Sequence, residues 1–388
     1  MAHLMRGGLF LMVSSSASAL SVGSKCNVWV VGCGVPKRGM GWYHAKQVIE
    51  GDVAAASLTA VVEPWFLGAG ADSPPGKCFA EWAAEVGPTH GVAFCSSVDD
   101  VPVDASTPSL ALISGRTADN PRLLREVIDR GCTAVYLEKP GAPTVAELES
   151  MREYAKEKGV SVYMGYNKNV TPYVRKALEA AKAVPGSTTT YVHNNAYKEE
   201  ELPECFERNA EGMLKNMAIH ELALLATYWG VTVESIASVT PDTDFSSCLT
   251  LKGPSGDEFT DFSKVGFTIE TTAGQAITLL VDRCGSDAGG NSIAIVSKDG
   301  DEVFRAETPD EELIESVEAQ AKADPEMMPY FFLQSDDYKV LKELTTEHVL
   351  AGKAGAPEGV ATIDIAIEAL KVAEYLTPKL QEALQSEP

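Results

Sequence analysis

Between residues 27 and 164, short apolar runs alternate with amphipathic stretches that end on glycine. Asn27 to Gly32, Ser57 to Val62, Gly91 to Phe94, Leu110 to Ile113, Thr133 to Leu137 and Val160 to Met164 each read as buried strands. Helices fit between them. Trp42 to Ile49, Lys77 to Glu85, Asp119 to Arg130 and Thr144 to Lys158 carry the longer periodicity. Asp119 reads as a cap, Thr144 with Glu147 as a capping box, and Gly131 and Gly159 as stops. This alternation predicts a doubly wound parallel sheet. After residue 165 the pattern changes. Pro172 to Ala183 and Gly212 to Trp229 read as helices, with a strand over Thr188 to Asn195. Then come Val233–Val239, Phe245–Leu251, Lys264–Thr271, Ala276–Arg283, Ser292–Val296 and Glu302–Arg305, strands with no helix between them. Such a run predicts a largely antiparallel sheet. Helices from about 310, 335 and 361 close the chain.

The chemistry gathers at the strand ends. The first strand runs into Gly32-Cys33-Gly34-Val35-Pro36-Lys37-Arg38-Gly39-Met40-Gly41 and then a helix, the context of a dinucleotide-binding turn of Rossmann type. Glycines there let backbone N–H groups approach a pyrophosphate. Six residues separate Gly34 from Gly41 where the standard turn has two, so the turn is enlarged, and Lys37 and Arg38 lie within it as candidate phosphate contacts. Glu63 ends the second strand, where a carboxylate bonds ribose hydroxyls and repels a 2′-phosphate. NAD is thus favoured over NADP, with Lys37 and Arg38 keeping NADP open. Ser114 ends the fourth strand and joins the cofactor-binding candidates. The fifth strand stops at Glu138-Lys139-Pro140, since proline gives a sheet no N–H. Ligands bind beyond the carboxyl ends of parallel strands. A lysine there can be partly desolvated and tuned for proton transfer. Asn167 and Lys168, after the sixth strand, point to the same mouth and suit hydroxyl or carboxylate recognition.

Composition narrows the field. The formal charge of −23 argues against nucleic acid and anionic membranes as partners. The eight cysteines form no Cys-x-x-Cys pair and no zinc-like spacing with histidine, so no metal and a reducing compartment are expected. No apolar stretch is long enough to suggest a membrane span. Residues 1–26 form an extension, acid-free and with a short apolar run before Ser14–Ala19, that reads as either a leader or a simple tail. The expectation is a cytoplasmic protein, or an organellar one if residues 1–25 are a cleaved targeting peptide. Residues 27–167 would form the dinucleotide-binding domain and 168–388 a substrate-binding α+β domain with an open sheet.

In the 212–229 helix, Lys215, Asn216 and His220 are polar residues in an apolar run, and Asn216 and His220, four apart, share a face. His220 titrates near neutrality and can exchange protons with a substrate hydroxyl. Taken with the glycine turn leading to His44-Ala45, the Val61-Val62-Glu63-Pro64 strand end and Glu138-Lys139-Pro140, the helix Gly212–His220 resembles the glucose–fructose oxidoreductase and inositol dehydrogenase (Gfo/Idh/MocA) family. The resemblance runs from about 27 to 305. It implies a Rossmann domain followed by an open-sheet domain. It also implies NAD or NADP chemistry on a sugar or polyol carbon, Lys139 beside nicotinamide and substrate, Glu138 near the cofactor ribose, and His220 as substrate binder or proton shuttle. The chain departs from the family pattern in three places. Asn216 stands where the family often has aspartate, Ala223 where another aspartate is common, and Asn120 near a usual histidine. An amide cannot accept a proton, so Lys139 or His220 must be the base. The expected activity is hydride transfer between a secondary alcohol or ketone and the nicotinamide. The alternatives are a lyase or glycoside hydrolase that cycles hydride internally, and a non-catalytic metabolite sensor. A small-molecule substrate and a homo-oligomer complete the expectation.

Overall fold

The protein is described here from a computed structural model that covers residues 25–287 and 289–385. The expected N-terminal extension lies outside the described residues except for Lys25 and Cys26. Six strands, β1 (Cys26–Val31), β2 (Ala56–Val62), β3 (Ala93–Cys95), β4 (Ser109–Ile113), β5 (Ala134–Leu137) and β6 (Ser161–Met164), pair in parallel in the order β3-β2-β1-β4-β5-β6. Their near-continuous burial is what a sheet covered on both faces requires. Four helices connect them: α1 (Met40–Ile49), α2 (Pro74–His90), α3 (Asn120–Arg130) and α4 (Val145–Lys158). Helix α2 is longer than its periodicity suggested. Ser73 caps it by accepting from the Gly76 N–H, and Pro74-Pro75 occupies the first turn, where no N–H is needed. Asp119, by contrast, makes no side-chain cap on α3.

The chain continues through α5 (Pro172–Ala183), β7 (Thr188–Asn194), α6 (Leu202–Arg208), α7 (Met213–Asn216) and α8 (Ile219–Trp229). Strands β8 (Ile236–Pro241), β9 (Ser247–Lys252), β10 (Glu258–Thr271), β11 (Ala276–Asp282), β12 (Asn291–Lys298) and β13 (Asp301–Thr308) follow. The second sheet has the order β13-β12-β7-β11-β10-β8, with β9 also on β10. Every pairing in it is antiparallel except β7 with β11. The single helix expected over 212–229 is two. The N–H groups of Met217 and Ala218 both reach the Met213 carbonyl, so the ladder slips by one residue and the axis breaks before α8.

The closing helices are α9 (Glu311–Ala323), α10 (Pro329–Leu333), α11 (Ser335–Leu350) and α12 (Ile363–Gln385). They do not stay with the second sheet. Phe331, Phe332, Tyr338 and Leu341 join the core formed by β1, α1 and β2, where Tyr43 stacks on Phe331 at 4.4 Å. Helix α12 packs on α8, α4 and β6. The C-terminal segment thereby ties the two sheets together and walls one side of the crevice between them. No helix among the described residues is long and apolar enough to cross a membrane.

Candidate active site

The site begins at the turn after β1. Gly32 has a positive φ of 80°, a conformation that side chains strain. A Cβ on Gly41 would lie 2.2 Å from the Gly32 carbonyl oxygen, so only glycine lets α1 seat this closely on the strand end. Glu63 is buried at the end of β2 and accepts from the Gly34 N–H at 2.9 Å. At the end of β4 the Ser114 hydroxyl is buried without a hydrogen-bond partner among the described residues. A tight turn of glycines, a carboxylate at the next strand end and an orphaned hydroxyl fit a dinucleotide. Gly32, Gly34 and Gly41 would line its pyrophosphate, Glu63 its adenosine ribose, and Ser114 its inner edge.

Of the two cations in the turn, Arg38 is exposed and Lys37 is committed. The Lys37 amine pairs with Asp324 and Glu326 at 2.9 and 3.0 Å, and the Lys37 carbonyl accepts from the Met328 N–H. Lys37 therefore fastens the turn to the segment between α9 and α10, which removes it as a free phosphate ligand.

Beyond β5, Glu138 accepts from His44 Nε2 at 2.9 Å. A Cβ on residue 165 would fall 2.6 Å from the Glu138 carboxylate, so Gly165 leaves room for it. Behind His44 stands Lys342 of α11, 1% exposed, whose amine donates to His44 Nδ1 at 2.9 Å and to Gln47 Oε1 at 2.6 Å. Lys342 thus leaves His44 with its proton on Nε2, aimed at Glu138. Burial, with the Lys342 charge behind it, lowers the His44 imidazole to about 4, so it is neutral at pH 7.

Burial also lowers the Lys139 amine from its ordinary value, against the opposing pull of Glu138 and then Glu211. His220 is lowered well below its usual range, first by burial and then by the charges of Lys139 and Lys168. The Lys139 charge thus reaches His220. The His220 Nδ1 atom is buried without a partner among the described residues, and its ring meets Tyr166 edge-on at 5.9 Å.

His220 lines a cavity of about 150 Å³ with Asn167, Lys168, His193, Asn194, Asn291 and Asp337 among its walls. Its floor is an ion cluster. Glu221, fully buried, accepts from Lys168 at 2.5 Å and from His193 Nδ1 at 3.1 Å. Burial alone would raise the Glu221 carboxyl, but His193 and Lys168 bring it well below its ordinary value. Lys168 also donates to the Ser292 hydroxyl at 2.9 Å. A second buried pair supports this wall from behind. Arg283 binds Asp261 at 2.6 Å, and Asp261 in turn accepts from the Met213 N–H, fixing the start of α7.

The structure thus brings Asn167, Lys168 and His220 to one cavity; Lys139 lies near enough for its charge to act on His220, and Glu138 for its charge to act on Lys139, though neither lines the cavity. It does not bring two others. Lys215 pairs with Glu374 on α12 at 2.9 Å, because the break between α7 and α8 turns that face outward. Asn216 donates to Glu211 at 2.8 Å on the exposed side and does not line the cavity. Four functional side chains escaped the sequence reading: Glu221, His193, Asp337 and Lys342. Glu221 had a signal, a carboxylate inside the apolar run beside His220. Lys342 had one too, a lysine on the apolar face of Tyr338, Leu341 and Thr345. His193 and Asp337 had none, since strand and helix patterns do not say what faces a remote element. Among the described residues no cluster could hold a metal ion.

The chain thus joins a parallel six-stranded sheet to a second, largely antiparallel one, with a polar cavity lined by residues that follow β6 and by residues of the second sheet. The family resemblance read from the sequence is borne out by a family model for the oxidoreductase family with NAD-binding Rossmann fold (GFO_IDH_MocA), which matches residues 79–166. No curated protein matches the chain. Among solved structures it is similar to a myo-inositol dehydrogenase from Corynebacterium glutamicum, with 15% identity and a TM-score of 0.65 over 93% of this chain and 97% of that one. It is similar to a scyllo-inositol dehydrogenase from Lactobacillus casei with bound NAD(H) and scyllo-inositol, with 13% identity and a TM-score of 0.63 over 93% and 97%. It also resembles GenD2 from gentamicin A biosynthesis in complex with NAD, with 16% identity and a TM-score of 0.62 over 98% and 97%. At these identities the likeness establishes the fold.

Proposed function

We propose that the protein is an NAD(P)-dependent oxidoreductase that transfers hydride between the nicotinamide and a secondary alcohol or ketone of a sugar, polyol or related small metabolite. The observation that carries this reading is the placement of Lys139 just beyond β5 and of His220 at the start of α8, where the Lys139 charge reaches His220 beside the cavity that His220 lines. Neighbours of this fold that bind NAD or an inositol support the cofactor and the substrate class.

The nicotinamide, when bound, supplies the hydride exchange. The chain's residues handle protons and position. Lys139, its amine lowered from the ordinary value by burial, takes the proton of the reacting hydroxyl. His220, neutral and with an unpaired ring nitrogen, bonds that hydroxyl and orients it. Glu138, held by His44, keeps a negative charge beside the amine and stabilises it once protonated. Lys168 and His193 hold Glu221 so that the cavity floor stays fixed through the reaction. Glu63 favours NAD, since a carboxylate on the ribose side repels a 2′-phosphate. Residues 27–167 serve as the nucleotide-binding unit and 168–388 as the substrate-binding unit, the latter sending α11 back across the former. Their cellular setting is cytoplasmic, and their assembly homo-oligomeric.

A thermal-shift screen with NAD, NADP and a panel of polyols, sugars and keto acids selects the substrate by mass-action stabilisation. Turnover of the substrate found should form NADH stoichiometrically, whereas internal hydride cycling would form none. Lys139→Ala should then cut turnover by about a hundredfold or more, the scale of a lost acid–base group. Near-normal turnover in that variant would remove Lys139 from the chemistry.

A further inference from the structure

Among the residues that line the cavity the one carboxylate is Asp337, in the first turn of α11; it shares the lining with His220, bonds Asn167 and carries no ion pair among the described residues. Glu221 and Glu138 lie outside that lining, the first bound by Lys168 and His193 and the second by His44. Asn216, the residue the sequence placed beside His220, donates to Glu211 and does not line the cavity. The other acceptors in the lining, such as Asn167, Asn194, Asn291 and Ser292, are neutral amides and hydroxyls, so the charged acceptor comes from α11. A carboxylate has two oxygens and takes two donors at once, a match for adjacent hydroxyls. An ammonium would meet Lys139 and Lys168 in the same crevice, and an anionic sugar would meet Asp337 itself.

We propose that Asp337 is the specificity-determining residue of this site, its carboxylate accepting from two neighbouring hydroxyls of a neutral polyhydroxy substrate and rejecting carboxylated or phosphorylated ones. This rests on the oxidoreductase reading above. Asp337 would bind substrate from α11, a helix that packs against the first sheet.

The charges around it set its pH behaviour. Burial, reinforced by Asp336 on the same turn, raises the Asp337 carboxyl to about 7, while Asn167 and Lys168 oppose the rise. His193 and His220 line the same cavity, both lowered from their usual range first by burial, and Tyr173 lines it too. On the outer side, a neighbouring hollow adds Lys176, Asp310 and Glu312. Substrate affinity should therefore weaken as pH falls through 7 and Asp337 takes up a proton.

The test uses the full chain with NAD, a neutral panel (myo-inositol, scyllo-inositol, glucose) and an acidic panel (glucuronate, glucose 6-phosphate). Asp337→Asn should raise KM for the neutral substrate at least about tenfold, the scale of a lost hydrogen bond to a charged group. The loss should fall on KM more than on kcat. It should also flatten the KM–pH profile between pH 6 and 8, narrow the preference for neutral over acidic sugars, and leave NAD affinity by calorimetry within about threefold. Asp337→Glu should restore part of the preference. An unchanged KM or unchanged preference in Asp337→Asn overturns the assignment, as does a loss shared by NAD affinity. Wild-type protein that binds NAD but turns over neither panel overturns the oxidoreductase reading, and the two failures are thereby told apart.

Discussion

Lys342 offers the sharpest test of the buried chain behind the site. Its amine is 1% exposed, and burial lowers it from 10.5 to about 7. The unfolded chain holds its proton up to about pH 10.5, so between about pH 7 and 10.5 unfolding takes up a proton. Below pH 7 the cost of this group is fully present, about 5 kcal/mol from a gap of that size. The cost fades as pH rises, so the group alone makes the wild type about 2 kcal/mol more stable at pH 9 than at pH 7. Lys342→Met removes that dependence. At pH 7 it relieves the charge cost but strands His44 Nδ1 and Gln47 Oε1 without their donor, at about 1–3 kcal/mol each. The two effects nearly cancel, so the absolute stability at one pH decides little and the slope decides much. Guanidinium unfolding at pH 7 and pH 9, read by tryptophan fluorescence, should show the wild type gaining about 2 kcal/mol relative to the variant over that range. Parallel pH dependences in the two proteins would refute the reasoning, because Lys342 would then titrate alike folded and unfolded.

Two further outcomes follow from the geometry. Glu63→Ser should weaken NAD binding by about tenfold to a hundredfold and let NADP compete, as paired calorimetric titrations would show, since it removes a charged acceptor and the repulsion of a 2′-phosphate. Arg283→Met should destabilise the protein by about 3–5 kcal/mol by leaving Asp261 charged and buried, and adding Asp261→Asn should recover much of that loss in the same unfolding assay.

Much of this was legible from local pattern, for definite reasons. Parallel strands buried on both faces must be apolar throughout, so β1, β4 and β5 announced themselves. Their ends must also be where glycine, carboxylate and proline interrupt the run, which located Gly32, Glu63 and Glu138. The alternating strands after 233 gave the second sheet, though not its one parallel pairing, β7 with β11. Side chains that answer to distant elements were hidden. Lys37 reads as a phosphate ligand until Asp324 and Glu326 are seen beside it, and Lys215 as a site residue until Glu374 is. The break at Met217 and Ala218 has no glycine or proline to mark it. Glu221 was the avoidable omission, since a carboxylate in an apolar helix must be paired somewhere.

The return of the last helices onto the first sheet has a consequence for how the molecule is made. Tyr43 donates to the Phe331 carbonyl, 288 positions further along, and Gln47 donates to the Ser335 carbonyl at the same separation. As the polypeptide leaves the ribosome, the early half emerges with His44 and Gln47 facing an unfilled groove. It stays wet on that side until the segment 288 positions further on has been translated. The order of synthesis and the order of completion are thus opposed: the segment that starts the nucleotide site waits for one made long after it.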